Sequence, residues 1–159
     1  MIAASSGAHG NLAFMSRRTT VAEPLLKRSR DLASRLRDYK TLAAAENDLG
    51  NLYAATGRPV EAASAYSEAI RLAPSFAQAL TDRGVVHYLS GHVDQAVVDY
   101  DASLQIRPLD APTYFNRGSA YRQRGQIERA IADYRKAMEL DPNFVPARAK
   151  LQELGVDKL

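Results

Sequence analysis

Apolar residues recur at helical spacing in three stretches of the chain. These stretches lie near residues 43–56, 77–90 and 111–124. In the first of them Leu49, Leu52 and Tyr53 are three or four residues apart, which places them on one face of an α-helix. No segment shows the sustained alternation of apolar and polar residues that is typical of a half-buried strand. The pattern therefore predicts an all-α chain.

A second apolar run follows each of these stretches at once. The second runs are Pro59–Leu72, Val93–Ile106 and Ile127–Leu140. Gly57, Gly91 and Gly125 separate the two runs, and a glycine just past a helix end can adopt the left-handed conformation without a Cβ penalty. A proline follows each second run within two residues and cannot continue the helix. The chain is therefore predicted to fold as three helix pairs.

The helix pairs repeat with a period of 34 residues. Five series of residues share this step: Gly50, Gly84 and Gly118; Gly57, Gly91 and Gly125; Ala62, Ala96 and Ala130; Tyr66, Tyr100 and Tyr134; and Pro74, Pro108 and Pro142. A fixed period of this length is the signature of stacked repeats. Glycine inside a helix costs about 0.5–1 kcal/mol relative to alanine, so we expect the first glycine series to allow close helix approach. The alanines would form the opposing surface, and the tyrosines would fill the space beyond it.

These residues resemble the tetratricopeptide repeat over about residues 41–142. The resemblance lies in Leu49-Gly50-x-x-Tyr53, Ala62-x-x-x-Tyr66-x-x-Ala69 and Pro74, and in their counterparts 34 and 68 residues later. It implies an all-α, right-handed superhelical solenoid of three such helix pairs with N- and C-terminal capping helices. The first helix of each pair would line a concave groove. Departures from the family pattern are Arg83, Arg117, His87 and Ser103.

The repeats divide the chain into six predicted segments. They are a disordered tail at 1–21, a basic amphipathic helix at 22–40, repeats at 41–74, 75–108 and 109–142, and a C-terminal capping helix and tail at 143–159. In the last segment, Asn143 is a candidate N-cap, Pro146 fits the first turn, Leu151 and Leu154 would face the repeats, and Gly155 would end the helix.

The N-terminal helix is predicted over about residues 24–39. Its apolar face would consist of Leu25, Leu32, Leu36 and Tyr39. We expect a break at 40–41, although a single helix from Pro24 to Thr56 is an open alternative because no breaker intervenes before Gly50.

Charge separates this helix from the repeats. Residues 17–40 hold eight Lys/Arg and three acids, a balance of +5, whereas residues 41–159 hold thirteen and fifteen, a balance of −2. The repeats therefore lack the positive excess that a nucleic acid or an anionic membrane would require. No signal peptide or membrane-spanning run is recognisable, so a cytoplasmic location is expected, with a transit peptide as an open alternative.

The sequence contains no pattern that predicts catalysis. The chain has no cysteine, which excludes disulfides, thiol nucleophiles and cysteine-rich metal sites. His87 and His92 are interpreted as a partly buried aromatic substitute and an exposed turn residue rather than as metal ligands. Asp99, Asp101 and Asp133 are interpreted as a solvated helix face. We therefore expect no enzyme activity, no metal and no cofactor.

Binding is the remaining function class, and the resemblance places it on the first helices. The candidate groove residues are Asn47, Asp48, Asn51, Thr81, Asp82, Val85, Tyr88, Phe115, Asn116, Ser119 and Arg122. Asparagine can hydrogen-bond both groups of an extended peptide backbone, while Tyr88 and Phe115 would be apolar anchors.

One binding mode of the family is not expected here. Chaperone-binding members hold a C-terminal carboxylate with Lys, Asn and Arg side chains on their first helices. In this chain only Asn51 matches that set. Asn47, Asp82, Pro112 and Asn116 depart from it, and Asp48 and Asp82 would repel an anionic terminus.

The expected function is thus a non-catalytic scaffold or adaptor that binds an extended peptide or helix of another protein, with no small-molecule substrate. Self-association is left open. Two alternatives remain. One is a small repeat chaperone for a secreted or assembling client, and the other is docking of helix 24–39 on an anionic membrane or nucleic acid.

Overall fold

A computed structural model describes residues 6–156, with side chains from Val21 onward. Its helices are α1 (Ser6–Arg35), α2 (Tyr39–Ala55), α3 (Pro59–Leu72), α4 (Ala77–Leu89), α5 (Val93–Ile106), α6 (Ala111–Gln123), α7 (Ile127–Leu140) and α8 (Val145–Glu153). Within residues 6–156 there is no strand, and the all-α prediction is confirmed. None of the helices in this range combines the length and apolar character needed to cross a membrane.

The chain divides after Ala73 into two compact units. In unit 1, helix α2 packs against both α1 and α3. In unit 2, α4 packs against α5 and α6 against α7, while α5 contacts α6 and α7 contacts α8. The core of each unit thus lies between the two helices of a repeat, and in unit 2 also between successive repeats.

The turn between paired helices has the predicted chemistry. Gly57, Gly91 and Gly125 have φ angles of 72°, 81° and 72°. In the first of these turns, the amide of Arg58 donates to the carbonyl of Tyr53 at 2.9 Å, which closes the end of α2. Glycine is required because its positive φ would cost an L-residue about 1–2 kcal/mol.

The interior glycines meet tyrosine rings first, and of the alanines expected from the sequence only Ala130 is also among the nearest neighbours of its glycine, with its carbonyl oxygen 3.2 Å from a Cβ added to Gly118. A Cβ added to Gly50 would lie 2.5 Å from Cε1 of Tyr66, and one added to Gly84 would lie 2.6 Å from Cε1 of Tyr100. At Gly118 the nearest atom is again a tyrosine Cε1, from Tyr134 at 2.9 Å. The tyrosine ring of the second helix therefore packs directly on the backbone of the first helix at the glycine. Ala62, Ala96 and Ala130 are fully buried within the same pairs.

The break between α1 and α2 falls earlier than predicted. Helix α1 ends at Arg35 and α2 begins at Tyr39, so the single-helix alternative is wrong. Asp38 caps α2, because its Oδ1 accepts from the amide of Thr41 at 3.1 Å and its Oδ2 accepts from the Thr41 hydroxyl at 2.6 Å. Arg37 adopts a positive φ of 54° just before the cap.

Helix α1 also begins inside the segment for which the sequence predicts a disordered tail. The helix starts at Ser6, whereas the prediction extends to residue 21. Residues 1–5 of that segment lie outside the described residues.

Helix α1 packs through a different face from the one predicted. Ala33 is buried, whereas Leu25, Leu32, Leu36 and Tyr39 are each more than half exposed. A polar contact fixes this orientation, because Glu23 accepts hydrogen bonds from Arg58 at 2.9 Å and from the Tyr53 hydroxyl at 3.4 Å. The apolar face identified in the sequence is therefore the face that α1 does not use within unit 1.

At the other end, α8 covers the last repeat. Leu151 is buried and packs with Tyr134 and Ala137, as the cap prediction requires. Pro146 lies in the first turn, but the N-cap residue is Phe144 rather than Asn143. Gly155 follows the helix with a φ of 70°.

Candidate binding surface

Two arginine–aspartate pairs lock the helices of unit 2 together. Arg83 donates to both carboxylate oxygens of Asp99, at 2.9 and 2.6 Å, and Arg117 donates to both oxygens of Asp133 at 2.8 Å. Arg117 also donates to Asp101, on α5, at 2.6 Å. Asp99 and Asp133 are only 3% and 6% exposed, so the sequence interpretation of a solvated acidic face is wrong for both. In the second and third repeats, the arginine at the ninth position thus has a buried acid as its partner.

A chain of buried hydroxyl groups lies between α4, α5 and α6. The Oγ1 of Thr81 lies 2.7 Å from the Oγ of Ser103 and 2.9 Å from the Oγ1 of Thr113. Ser103 donates to the carbonyl of Ala77 at 3.0 Å, and Thr113 donates to Asp110. Each hydroxyl carries one proton, so Thr81 donates to only one of these two neighbours at a time.

Thr81 is thus an interior residue, although the sequence places it among the groove candidates. It is 8% exposed, and its hydroxyl is spent on Ser103 and Thr113. Asn47 in unit 1 is similarly buried, and its Oδ1 has no hydrogen-bond partner among the described residues. Neither side chain is open to a partner.

The other candidates of unit 1 lie on the surface. Asp48 and Asn51 are exposed on α2. The Oδ1 of Asn51 accepts a hydrogen bond of 2.8 Å from the hydroxyl of Tyr66. The same ring covers Gly50, so this asparagine is held by the close helix packing and offers its amide N–H groups outward.

In unit 2, three candidates converge on one pocket. Tyr88 on α4 and Ser119 and Arg122 on α6 line a cavity of about 290 Å³. The other lining residues are Gln123, Tyr134 and Lys150. Ser119 accepts from the Tyr134 hydroxyl at 3.3 Å and donates to the carbonyl of Phe115 at 3.0 Å, which orients both groups of the wall.

The rim of this pocket is cationic and holds one acid. Arg122 lies 3.0 Å from Glu153, and Lys150 lies 2.9 Å from the same carboxylate. The hydrogen bond from Lys150 lowers the pKa of Glu153, and Arg122 lowers it further. All three side chains are about a third to a half exposed, so these ion pairs are weak. An anionic group of a partner could therefore replace Glu153 at either cation. Two cations thus face a single carboxylate.

The remaining candidates differ in how far they are available. Phe115 packs against Tyr134 and Phe144, with ring centroids 5.6 Å apart in each case, so it is largely part of the core of unit 2. Val85 and Asn116 are half-buried. Asp82 accepts from Gln78 at 2.9 Å, and burial raises its pKa against the opposing effect of that hydrogen bond.

The two histidines of unit 2 are neighbours without forming a metal site. The rings of His87 and His92 meet edge to face at 6.0 Å between centroids. Across residues 21–156, whose side chains the structure describes, no three His, Asp or Glu side chains converge as a metal ion would require.

Lys150 and Tyr134 are pocket residues that the sequence reasoning assigned elsewhere. Tyr134 was recognised only as a packing residue, and Lys150 lies on the capping helix α8. The positions of these two residues in the repeat do not predict that they line a pocket. Lys150 lines it only because α8 packs on α7, which is a tertiary contact.

Comparison with solved structures shows the same fold. The TPR domain of Arabidopsis OM64 superposes with a TM-score of 0.71 at 23% identity, covering 73% of this chain and 96% of that domain. The first TPR of Spaghetti (RPAP3), bound to the HSP90 peptide SRMEEVD, gives 0.71 at 23% identity over 73% of this chain and 92% of its own. MamA gives 0.72 at 16% identity over 99% of this chain and 88% of its own.

Sequence comparison gives the family directly. No curated protein matches the chain. Three family models do, each described as the tetratricopeptide repeat, and they match residues 1–75, 47–111 and 111–144. With its 34-residue helix pairs, its glycine–tyrosine packing and these matches, the chain belongs to the tetratricopeptide-repeat family.

Proposed function

We propose that this protein is a non-catalytic interaction module that binds an extended segment of a partner protein along the first helices of its repeats. The supporting observation is the pocket of unit 2, where Tyr88, Ser119 and Arg122 meet. An aromatic wall, oriented hydroxyls and partly exposed cations can together receive a side chain and fix the backbone next to it. In unit 1, Asn51 would contribute a backbone-binding amide.

The narrower set of contact residues follows from burial. We keep Asp48, Asn51, Asp82, Val85, Tyr88, Asn116, Ser119 and Arg122 as contact residues and add Gln123, Tyr134 and Lys150. Asn47 and Thr81 are interior, and Phe115 supports the wall through its contact with Tyr134.

A selection of random peptides displayed on phage, followed by titration of the chosen peptides, tests the proposal. Binding should fall at least tenfold in Arg122→Ala and in Tyr88→Ala, in line with a loss of about 1–2 kcal/mol for a central contact. The matched control is Leu89→Ala, because Leu89 neighbours Tyr88 on α4, is 77% exposed and does not line the pocket. Unfolding curves show whether each variant is folded. Equal affinity for wild type and Arg122→Ala, with no chemical-shift change at Ser119 or Gln123, would contradict the pocket.

We also propose that the chain does not bind a C-terminal carboxylate in the clamp mode of chaperone-binding members. The RPAP3 structure with its HSP90 peptide is the natural comparison. In this chain Asp82 stands where the clamp mode uses an asparagine, and Pro112 stands where it uses a lysine. The SRMEEVD peptide should therefore bind no better than the same peptide with an amidated C-terminus. Micromolar binding that is lost in Asn51→Ala would refute this.

A further inference from the structure

Four large aliphatic side chains form an exposed row along α1 and the turn after it. Val21, Leu25, Leu32 and Leu36 are between 56% and 70% exposed. At 100° per residue they project within a narrow sector of the helix, and they span roughly 22 Å. The amide of Leu36 still donates to the carbonyl of Leu32 at 3.0 Å, so the last residue continues the row. We name these four residues the α1 stripe.

The α1 stripe takes no part in the packing of α1 within unit 1. The side of the helix that packs in unit 1 holds Ala33, which is buried, and Glu23, which accepts hydrogen bonds from Tyr53 and Arg58. These contacts fix the rotation of α1 in unit 1. Turning the stripe inward would break them, so the four aliphatic side chains stay in water unless something outside unit 1 covers them. Isolated exposed leucines are ordinary, but a continuous row marks an interaction surface.

Positive charge borders the stripe on one side. Arg28 and Arg35 line a shallow depression together with Leu32, and Pro24, Lys27 and Asp31 complete its wall, so three cations and one acid share a face with the aliphatic row. Among the described residues neither arginine forms an ion pair, whereas Lys27 is paired with Glu23 and Arg30 with Asp31. Both guanidinium groups can therefore meet an external anion without first breaking an ion pair seen among the described residues.

We propose that α1 binds the surface of an anionic lipid bilayer, lying in its plane. The α1 stripe would enter the region below the headgroups, and Arg28 and Arg35 would reach the lipid phosphates, since long cationic side chains extend to the interface while their stems stay apolar. This site is separate from the peptide pocket of unit 2.

Charge favours this occupant over a second copy of the chain and over nucleic acid. Residues 21–40 hold six Lys/Arg and three acids, so two copies paired through α1 would bring charges of +3 together. A nucleic acid would pair with the arginines but leave four aliphatic side chains in water. An anionic bilayer satisfies both features at once.

Vesicle flotation of the full chain tests the inference. Vesicles of phosphatidylcholine alone are compared with vesicles that also contain phosphatidylserine. We expect binding only to the anionic vesicles, and we expect it to weaken as salt is raised. Leu32→Ser/Leu36→Ser should lower the partition coefficient by about 100-fold or more, from the transfer energy of two leucines, and Arg28→Gln/Arg35→Gln by roughly thirtyfold.

The control is Val60→Ser, which removes an 81% exposed aliphatic side chain from α3 of the same unit. It should float like wild type, and circular dichroism should show the same helix content in all variants. Absence of wild-type flotation at low salt would overturn the proposal, as would binding unchanged in the leucine variant. A concentration-dependent dimer in sedimentation that is lost in Leu32→Ser/Leu36→Ser would assign the stripe to a second copy instead. Failure here leaves the pocket of unit 2 untouched, because its test uses peptides and residues of α4 and α6.

Discussion

Arg83 and Asp99 form a two-point ion pair at the repeat positions that Leu49 and Ala65 occupy 34 residues earlier. The arginine nitrogens lie 2.9 and 2.6 Å from the carboxylate oxygens, and Asp99 is almost fully buried. Leu49 and Ala65 are buried as well. The same contact between the two helices of a repeat is therefore apolar in the first repeat and a buried ion pair in the second.

This relationship predicts a strong asymmetry between single and double substitutions. Arg83→Leu alone strands the Asp99 carboxylate in the interior and should lower the free energy of unfolding by about 3–5 kcal/mol. Arg83→Leu/Asp99→Ala recreates the first repeat and should come within about 1 kcal/mol of wild type. Urea unfolding measures both. A double variant as unstable as the single one would show that the pair is needed for more than its own charge balance.

Gly84 should not tolerate alanine, although alanine is the better helix former. The added Cβ would lie 2.6 Å from Cε1 of Tyr100, whose ring is buried and cannot move away freely. We expect Gly84→Ala to cost about 1–3 kcal/mol in thermal or urea unfolding.

Gly91→Ala is the matched control for this substitution. It meets nothing within 4 Å and is penalised only by its φ of 81°, by about 1–2 kcal/mol. Combination with Tyr100→Ala should reduce the cost of Gly84→Ala and leave that of Gly91→Ala unchanged. Equal costs with and without the ring would contradict the steric explanation.

Thr81 should affect stability and not binding. Thr81→Val removes the hydroxyl that donates within the buried chain of Thr81, Ser103 and Thr113, and we expect a loss of about 1–3 kcal/mol because a buried acceptor is left unpaired. Peptides selected on the wild type should bind the folded variant with unchanged affinity. A tenfold loss of affinity at intact fold would return Thr81 to the contact surface.

His87 should make the protein less stable in mild acid. Burial lowers the pKa of His87 below its ordinary 6.5, an effect that Arg83 and His92 add to and that Asp99, 3.8 Å away, opposes. As the pH falls through 6.5, the unfolded chain takes up a proton that the folded chain resists, so the free energy of unfolding decreases. His87→Phe should lessen this decrease when unfolding is followed across the range. Parallel pH profiles for the two proteins would count against the assignment.

Asp38 should determine where α2 begins. Its carboxylate accepts from both the amide and the hydroxyl of Thr41, and these bonds lower its pKa, with the hydroxyl contributing most. Asp38→Ala should destabilise unit 1 by about 1 kcal/mol, the usual value of an N-cap. Hydrogen exchange at the first amides of α2 should accelerate, whereas Asp38→Asn should retain most of the protection. Unchanged exchange in Asp38→Ala would argue against the cap.

Local signals explain why the second helices could be predicted to the residue. Pro59–Leu72, Val93–Ile106 and Ile127–Leu140 have the predicted bounds because a left-handed glycine precedes each and a proline follows each. The break before Tyr39 was placed too late, since its signal is the Asp38 cap with Arg37 at positive φ, and neither residue is a glycine or a proline.

The candidate surface was predicted less completely than the fold. Helical periodicity placed Tyr88, Ser119 and Arg122 on one side of the first helices, and they do share a pocket. The same periodicity could not separate Thr81 from them, because its burial depends on Ser103 and Thr113, which are 22 and 32 residues away. Lys150 could not be predicted as a pocket residue, because the periodic pattern of one helix contains no information about a side chain from another helix.

By itself, the sequence determined the 34-residue helix pairs, their turns and the family, because backbone hydrogen bonding and glycine or proline chemistry act between residues close along the chain. Tertiary structure alone decided which face of α1 is buried, which acids lie inside, and what covers Gly50 and Gly84. Those outcomes depend on contacts between side chains on different helices. The favoured contacts are the ones that give the whole packed arrangement its lowest free energy, and no single position in the sequence determines that.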